Sequence, residues 1–251
     1  MRTVFLADAH LRRPEERNYR ALLTFLAEQE GKTDLLVILG DLFEFLIGYP
    51  VQEFPHYRPI FDSLLSIKSA GTRVIYCEGN HDFHLGSFFT ETVGIELHSG
   101  PAVVDIDGKR LHICHGDQIN RGELPHRLLR ALFHGPLVKA LIPLVPSRFA
   151  CIIADRLGRR SVNGRTKKKR LIDTRAELIR GYAAERFAEG CDAVVTGHFH
   201  LPFLESSSDD RRTLLSMGEW ITQLTYGECL NGDFYLKNYL PPFDPIPNSP
   251  R

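Results

Sequence analysis

The apolar positions of this chain fall in short unbroken runs, each closed by residues able to hold a metal or a phosphate. Val4-Phe5-Leu6-Ala7 leads into Asp8-Ala9-His10, and Leu35 to Leu39 leads into Gly40-Asp41. Val74 to Cys77 precedes Gly79-Asn80-His81-Asp82, Leu111 to Cys114 precedes His115-Gly116-Asp117, and Ala193 to Thr196 precedes Gly197-His198-Phe199-His200. Short β-rich runs stopped by Gly, Asp or His predict strands, and their continuous apolar character predicts cover on both faces. The strand candidates are Thr3–Ala7, Leu35–Leu39, Arg73–Tyr76, Ala102–Ile106, Leu111–Cys114 and Ala193–Thr196. Helical spacing predicts helices over Pro14–Glu30, Tyr57–Ala70 and Ile172–Glu189, each followed closely by a glycine. Asp107-Gly108 and Asn231-Gly232 read as hairpin turns, and the Pro-rich stretch from Pro241 as irregular. The pattern is that of an α/β fold whose polar groups collect at the carboxyl ends of its strands.

Between Asp117 and Ile172 the pattern changes. Leu124, Leu128, Leu129, Leu132, Phe133, Leu137, Val138, Leu141 and Ile142, then Phe149, Ile152, Ile153 and Leu157, have helical spacing, and Pro125, Pro136, Pro143 and Pro146 divide them into short helices. The expected organisation is one domain over residues 1–251 carrying an inserted helical cap at 121–170. The whole chain has a formal net charge of +0, yet Arg121 to Arg170 holds thirteen Lys or Arg against Glu123 and Asp155. A segment so basic suits an anionic partner, and its apolar faces suit contact with lipid while its charges meet phosphates. Nucleic acid is not expected there, because the aromatic residues needed for base stacking are missing from the basic run, and no protein partner is expected.

At 251 residues and 43% hydrophobic content the chain can bury a full core. Its five scattered cysteines form no C-x-x-C pair and suggest a reducing compartment. The first residues hold no apolar run long enough for a signal peptide, and no run reaches membrane-spanning length. The expected place is the cytoplasm.

Asp, Asn and His are the ligands that a pair of divalent cations needs, with one carboxylate shared and neutral N or O donors around it. In that arrangement Asp8 and His10 would hold one ion, Asp41 would bridge, Asn80, His115 and His198 would hold the second, and His200 would return to the first. The absence of cysteine ligands and the mixture of oxygen and imidazole favour Mn, Fe or Zn.

The blocks D-x-H, G-D, G-N-H-D, H-G-D and G-H-x-H, in this order from Asp8 to His200, resemble the calcineurin-like metallophosphoesterase family. The resemblance implies an α/β fold with a β-sandwich flanked by helices, two divalent ions (Mn2+ foremost), and hydrolysis of a phosphoester or pyrophosphate. Within the family, Asp8-Ala9-His10-Leu11, Gly40-Asp41-Leu42-Phe43-Glu44, Gly79-Asn80-His81-Asp82-Phe83, the basic cap and Gly218-Glu219-Trp220 are similar to the branch that cleaves UDP-2,3-diacylglucosamine in lipid A biosynthesis. That branch implies an acylated UDP-sugar as substrate, with UMP and 2,3-diacylglucosamine 1-phosphate as products. It also implies a peripheral position on the anionic inner face of the inner membrane. His81 would donate a proton or hydrogen bond to the leaving group, with Asp82 or Asp41 orienting its ring. Asn80, His81, Lys167, Lys168 and Lys169 would contact the substrate. The chain departs from the best-known branch in carrying His81 where Arg is usual. A metallophosphoesterase acting on nucleotides or other phosphodiesters is therefore the alternative, and a metal-free scaffold a third class.

Other residues carry ordinary readings. His56, His84, His98, His112, His126 and His134 stand outside any motif and read as surface or satisfied core positions. Cys114 reads as packing, Trp220 as structural, and Asp105, Asp107 and Asp117 as turn residues.

Overall fold

The computed structural model describes residues 1–120, 122, 132–144, 168–208 and 211–243. Two sheets face each other. The first runs β13 (Asp233–Asn238), β12 (Thr225–Leu230), β1 (Arg2–Leu6), β2 (Leu35–Ile38), β4 (Arg73–Cys77), β6 (Glu96–His98). The second runs β10 (Phe203–Ser206), β11 (Thr213–Ser216), β9 (Ala193–Thr196), β8 (Lys109–Cys114), β7 (Ala102–Ile106). In the first sheet β1, β2, β4 and β6 are parallel, and in the second β8, β9 and β11 are parallel. A two-stranded parallel ladder of β3 (Leu46–Ile47) and β5 (Asp82–Phe83) stands apart.

The alternation of strand side chains explains why the central strands read as continuous apolar runs. Phe5, Ala7, Val37, Ile75 and Cys77 face Leu111, Ile113, Ala193 and Val195 of the other sheet, making the inner core. Their neighbours Val4, Leu6, Leu36, Ile38, Val74 and Tyr76 point outward onto helices α1 (Arg17–Gln29) and α2 (Arg58–Ser69). Helix α1 buries Tyr19, Leu22, Phe25 and Leu26, and α2 buries Ile60, Phe61, Leu64 and Ile67, the stripe that a 3.6-residue period lays on one face. On the far side, Ile179, Tyr182 and Ala183 of the last long helix cover Cys114, Val194 and Leu214. Both expected hairpins form, β7 to β8 through Asp107-Gly108 and β12 to β13 through Asn231-Gly232, each with left-handed backbone at its two turn residues.

The described part of the expected cap is a short helix α3 (Pro136–Leu141) with a 3₁₀ turn Ile142–Leu144 behind it. Residues 121, 123–131 and 145–167 lie outside the described residues, and with them most of the apolar and basic positions assigned to the cap, Lys167 included. The last long helix, α4 (Lys168–Ala188), begins a turn earlier than its apolar pattern suggests, so Lys168 and Lys169 open that helix. Their side chains lie outside the described residues.

Trp220 ties the C-terminal half to the first loop. Its wholly buried ring stacks on Tyr239 at 5.6 Å and meets Phe25 at 5.0 Å. Its indole donates to the Asn18 carbonyl at 3.1 Å, and its backbone N–H donates to the Asp8 carbonyl at 3.1 Å. Trp220→Ala is expected to destabilise the protein by about 3–5 kcal/mol through the cavity and the lost hydrogen bond. Urea denaturation measures this, and a loss below about 1 kcal/mol would remove Trp220 from the core.

Candidate metal centre

Each expected ligand stands just beyond the carboxyl end of a parallel strand: Asp8 after β1, Asp41 after β2, Asn80 after β4, His115 after β8 and His198 after β9. The loops turn sharply there. Asp8 (φ 53°), His10 (φ 45°), Asp41 (φ 52°), His198 (φ 70°) and His200 (φ 53°) all adopt left-handed backbone, a region that side chains other than glycine rarely occupy and that concentrates at functional sites. Backbone approach is equally tight. A Cβ at Gly79 would lie 2.2 Å from Asp41 Oδ1, so only glycine lets the third loop pass the second.

The side chains converge. Asp8 is fully buried and Asp41 and His115 are nearly so. Asp41 Oδ2 lies 3.4 Å from His115 Nε2 and 3.6 Å from His10 Nε2, so this one oxygen faces both halves of the site. Asp8 Oδ1 lies 3.4 Å from His200 Nε2 and 4.0 Å from His10 Nε2. On the other side, His115 Nε2 is 3.0 Å from Asn80 Oδ1 and 3.2 Å from His198 Nδ1. Every one of the sequence-derived ligands is therefore in the cluster.

Backbone groups aim these side chains. His198 N–H donates to Asp8 Oδ2 at 2.8 Å and His81 N–H to Asp41 Oδ1 at 2.9 Å, leaving one oxygen of each carboxylate for the centre. His115 Nδ1 donates to the Leu39 carbonyl at 2.8 Å, which fixes the ring with Nε2 turned toward the centre. Glu44, absent from the sequence-derived set, does the same for two rings. Its carboxylate meets His10 Nδ1 at 3.2 Å, and its carbonyl accepts from His81 Nδ1 at 2.9 Å. The carbonyl of Glu44, rather than Asp82 or Asp41, is what the His81 ring bonds. Asp82 is fully buried, and its carboxylate accepts from the backbone N–H groups of Asp41 (2.9 Å), Gly79 (3.1 Å) and Phe43 (3.2 Å) and from the Tyr76 hydroxyl. It braces the second and third loops against each other.

The electrostatics fit a demand for positive charge. Burial pushes the Asp41 carboxyl up, but the imidazoles of His115, His81 and His10 outweigh it and hold it below the usual range. Burial likewise opposes ionisation of Asp8, and the neighbouring imidazoles of His200 and then His115 overturn it and hold the carboxyl below the usual range. His115 is desolvated, yet Asp41 and Asp8 raise it to about 9. His198, buried and beside His115, falls to about 4. Burial and the Asp41 charge lift Asp82 to about 6.

Divalent cations suit this donor set. Asp8 Oδ1 is buried and accepts no hydrogen bond, an uncommon and costly state for a carboxylate oxygen unless it faces a cation. Among the described residues, Asp8, His10 and His200 bring ligand atoms within 4.8 Å of one another, and so do Asp8, Asp41 and His115. A third such grouping, His10, Glu44 and His81, is accounted for by the hydrogen bonds of Glu44. Among the described residues, two histidines outside the cluster have other occupations. His112 bonds the Tyr182 hydroxyl at 2.9 Å, and His98 bonds Glu96 at 3.0 Å.

The model of the calcineurin-like phosphoesterase family matches residues 1–202. The chain is 28% identical over 251 residues to the UDP-2,3-diacylglucosamine hydrolase of Aeromonas salmonicida, covering 98% of this chain and 96% of that protein. To the protein of the same name from Photorhabdus laumondii it is 32% identical over 224 residues, covering 88% and 91%. An archaeal phosphodiesterase of known structure overlays with a TM-score of 0.49 at 13% identity, over 95% of this chain and 100% of that one.

Two substitutions separate ligand from support. Asp41→Ala is expected to abolish tight metal binding, read by metal analysis of the purified protein, and full metal content in that variant would overturn its bridging position. Glu44→Ala is expected to weaken metal affinity by roughly 10–100-fold through the unfixed His10 ring, with Glu44→Gln intermediate. Unchanged affinity in a calorimetric titration would leave Glu44 without that role.

Proposed function

The chain belongs to the calcineurin-like phosphoesterase family, and on that premise we propose that it hydrolyses the pyrophosphate bond of UDP-2,3-diacylglucosamine to UMP and 2,3-diacylglucosamine 1-phosphate. The observation that carries the reaction type is the convergence of Asp8, His10, Asp41, Asn80, His115, His198 and His200 on one centre, with an orphaned oxygen of Asp8 inside it. The choice of substrate is supported by the names of relatives that align along nearly the whole chain.

Asp8, His10 and His200 would hold one divalent cation and Asn80, His115 and His198 a second, with Asp41 between them. Mn2+ in the first instance, and Fe or Zn as alternatives, would supply water activation at neutral pH and charge neutralisation at phosphoryl oxygens. His81 sits beside this set with its Nδ1 proton committed to the Glu44 carbonyl, so Nε2 is the nitrogen left for the substrate. Burial disfavours its charged form, but the Asp41 charge and the Glu44 carbonyl outweigh burial and raise its pKa above the ordinary value. The ring is therefore suited to give a proton or a hydrogen bond to the leaving phosphate. Asp82 acts at one remove, by holding the Asp41 and Gly79 amides. Asn80, His81, Lys167, Lys168 and Lys169 complete the reading as contacts to the diphosphate.

No helix among the described residues is long and apolar enough to cross a membrane. Contact with an anionic membrane face is part of the proposal, and its support is the apolar surface near α3. Leu137 is 65% exposed and Leu144 76%, with Lys139 between them.

His81→Ala is expected to lower kcat by roughly 10²–10⁴-fold with both metals retained, and loss of a metal would make His81 a ligand. The substrate is tested by product identification from acylated and deacylated UDP-sugar. Turnover that collapses without the acyl chains supports the lipid substrate, whereas equal turnover points to nucleotides or other phosphodiesters. Binding to anionic vesicles that weakens at high salt checks the membrane contact.

A further inference from the structure

The second and third metal loops leave the sheet together. Beyond Asp41 and Asn80 they pair as the parallel ladder β3–β5, Leu46 beside Asp82 and Ile47 beside Phe83, with Leu46 N–H donating to the His81 carbonyl at 3.1 Å. At its outer end this arm meets residues 132–144. The Phe83 ring stacks on His134 at 4.3 Å and 24°. His84 Nε2 donates to the Phe133 carbonyl at 3.0 Å. The Gly48 backbone receives buried Ile142, whose Cδ1 would lie 2.7 Å from a Cβ placed there. The turn that presents these groups is held by its own contacts. His84 holds left-handed backbone (φ 55°), and the next amide, Leu85 N–H, is tied at 2.9 Å to the buried carboxylate of Glu78, at the end of the strand that leads to Asn80.

We propose that Gly48, Phe83 and His84 form a seat that sets where α3 stands relative to the metal loops, and so determine selectivity for a substrate with a large group beyond the cleaved phosphate. A helix of six residues has no stability of its own in water, so tertiary contacts of this kind decide its place. The arm is anchored at its inner end by the Asp82 carboxylate, which holds Asp41 and Phe43 N–H independently of α3. Loosening the seat therefore moves α3 and leaves the ligand set in place. A small diester that touches only the metal groups does not feel that change, and a larger substrate that also reaches α3 does. His84 is in this sense a positioning residue. The substrate half of the inference rests on the phosphoesterase reading above, and the seat itself does not.

The test uses the metal-loaded full chain with His84→Ala and His84→Gln, the latter keeping an N–H donor at similar reach. His84→Ala is expected to raise KM for the acylated UDP-sugar about tenfold, the scale of one hydrogen bond and one ring contact, with kcat and the turnover of bis(p-nitrophenyl) phosphate unchanged. His84→Gln is expected to restore most of the loss. Equal losses on both substrates, or no change on the large one, overturn the selectivity role. Should the wild type fail to turn over the acylated UDP-sugar, the substrate reading falls, and hydrogen exchange then judges the seat alone. Amides in 132–144 are expected to exchange about tenfold faster in His84→Ala with α1 unaffected, and unchanged protection there overturns it.

Discussion

Two carboxylates buried side by side constrain everything else in this molecule. Asp8 and Asp41 are removed from water, and an ion taken into a protein interior costs several kcal/mol, roughly, after relaxation. The surroundings offset that cost with donors whose positions are fixed by backbone: His198 N–H on Asp8 and His81 N–H on Asp41. Each carboxylate is left with one oxygen turned to the imidazoles, and Asp8 Oδ1 is left with no hydrogen bond at all. That division, one oxygen held by the fold and one offered to the centre, is the chemical basis of a metal site. It fails if either loop loses its conformation.

The fold meets this demand through parallel strands. Strands that run the same way end at the same edge, so β1, β2 and β4 of one sheet and β8 and β9 of the other deliver their loops to one place. The loops then turn at once through left-handed residues, at a cost on the order of 1–3 kcal/mol each. Such strain persists only where the surroundings over-determine it. Here they do: Asn18 and Trp220 bind the backbone of the first loop, while Asp82 gathers three amides of the second and third.

Much of this was legible from residue order. Long apolar strands buried on both faces announced themselves, and the ligands announced themselves as the polar residues that ended them. What escaped notice did so for definite reasons. The edge strand β10 is half exposed, so its side chains follow no clean apolar rhythm. The ladder β3–β5 has two residues per strand and exists only because distant loops meet. Asp82 lies inside a motif and invited a chemical role, yet what its carboxylate does is decided by amides some forty positions away, which no local pattern reveals. Glu44 was quoted as part of the second block without a role. Its importance lies in bonding His10 and His81 at once, a relation that appears only when three loops are seen together.

The centre is also a joint between the two sheets. Asp8, His10, Asp41 and Asn80 come from the first and His115, His198 and His200 from the second, while His115 Nδ1 bonds across to the Leu39 carbonyl at the end of β2. A cation held from both sides would recognise only the assembled sandwich, and its binding free energy would add to the stability of that assembly. The strained loops and crowded carboxylates, each unfavourable alone, would become consistent with one another when the same ion satisfied residues from both sheets. Metal affinity and sheet packing would then be two readings of one equilibrium, and a side chain such as Trp220 would bear on chemistry it never touches, through the loop that carries Asp8.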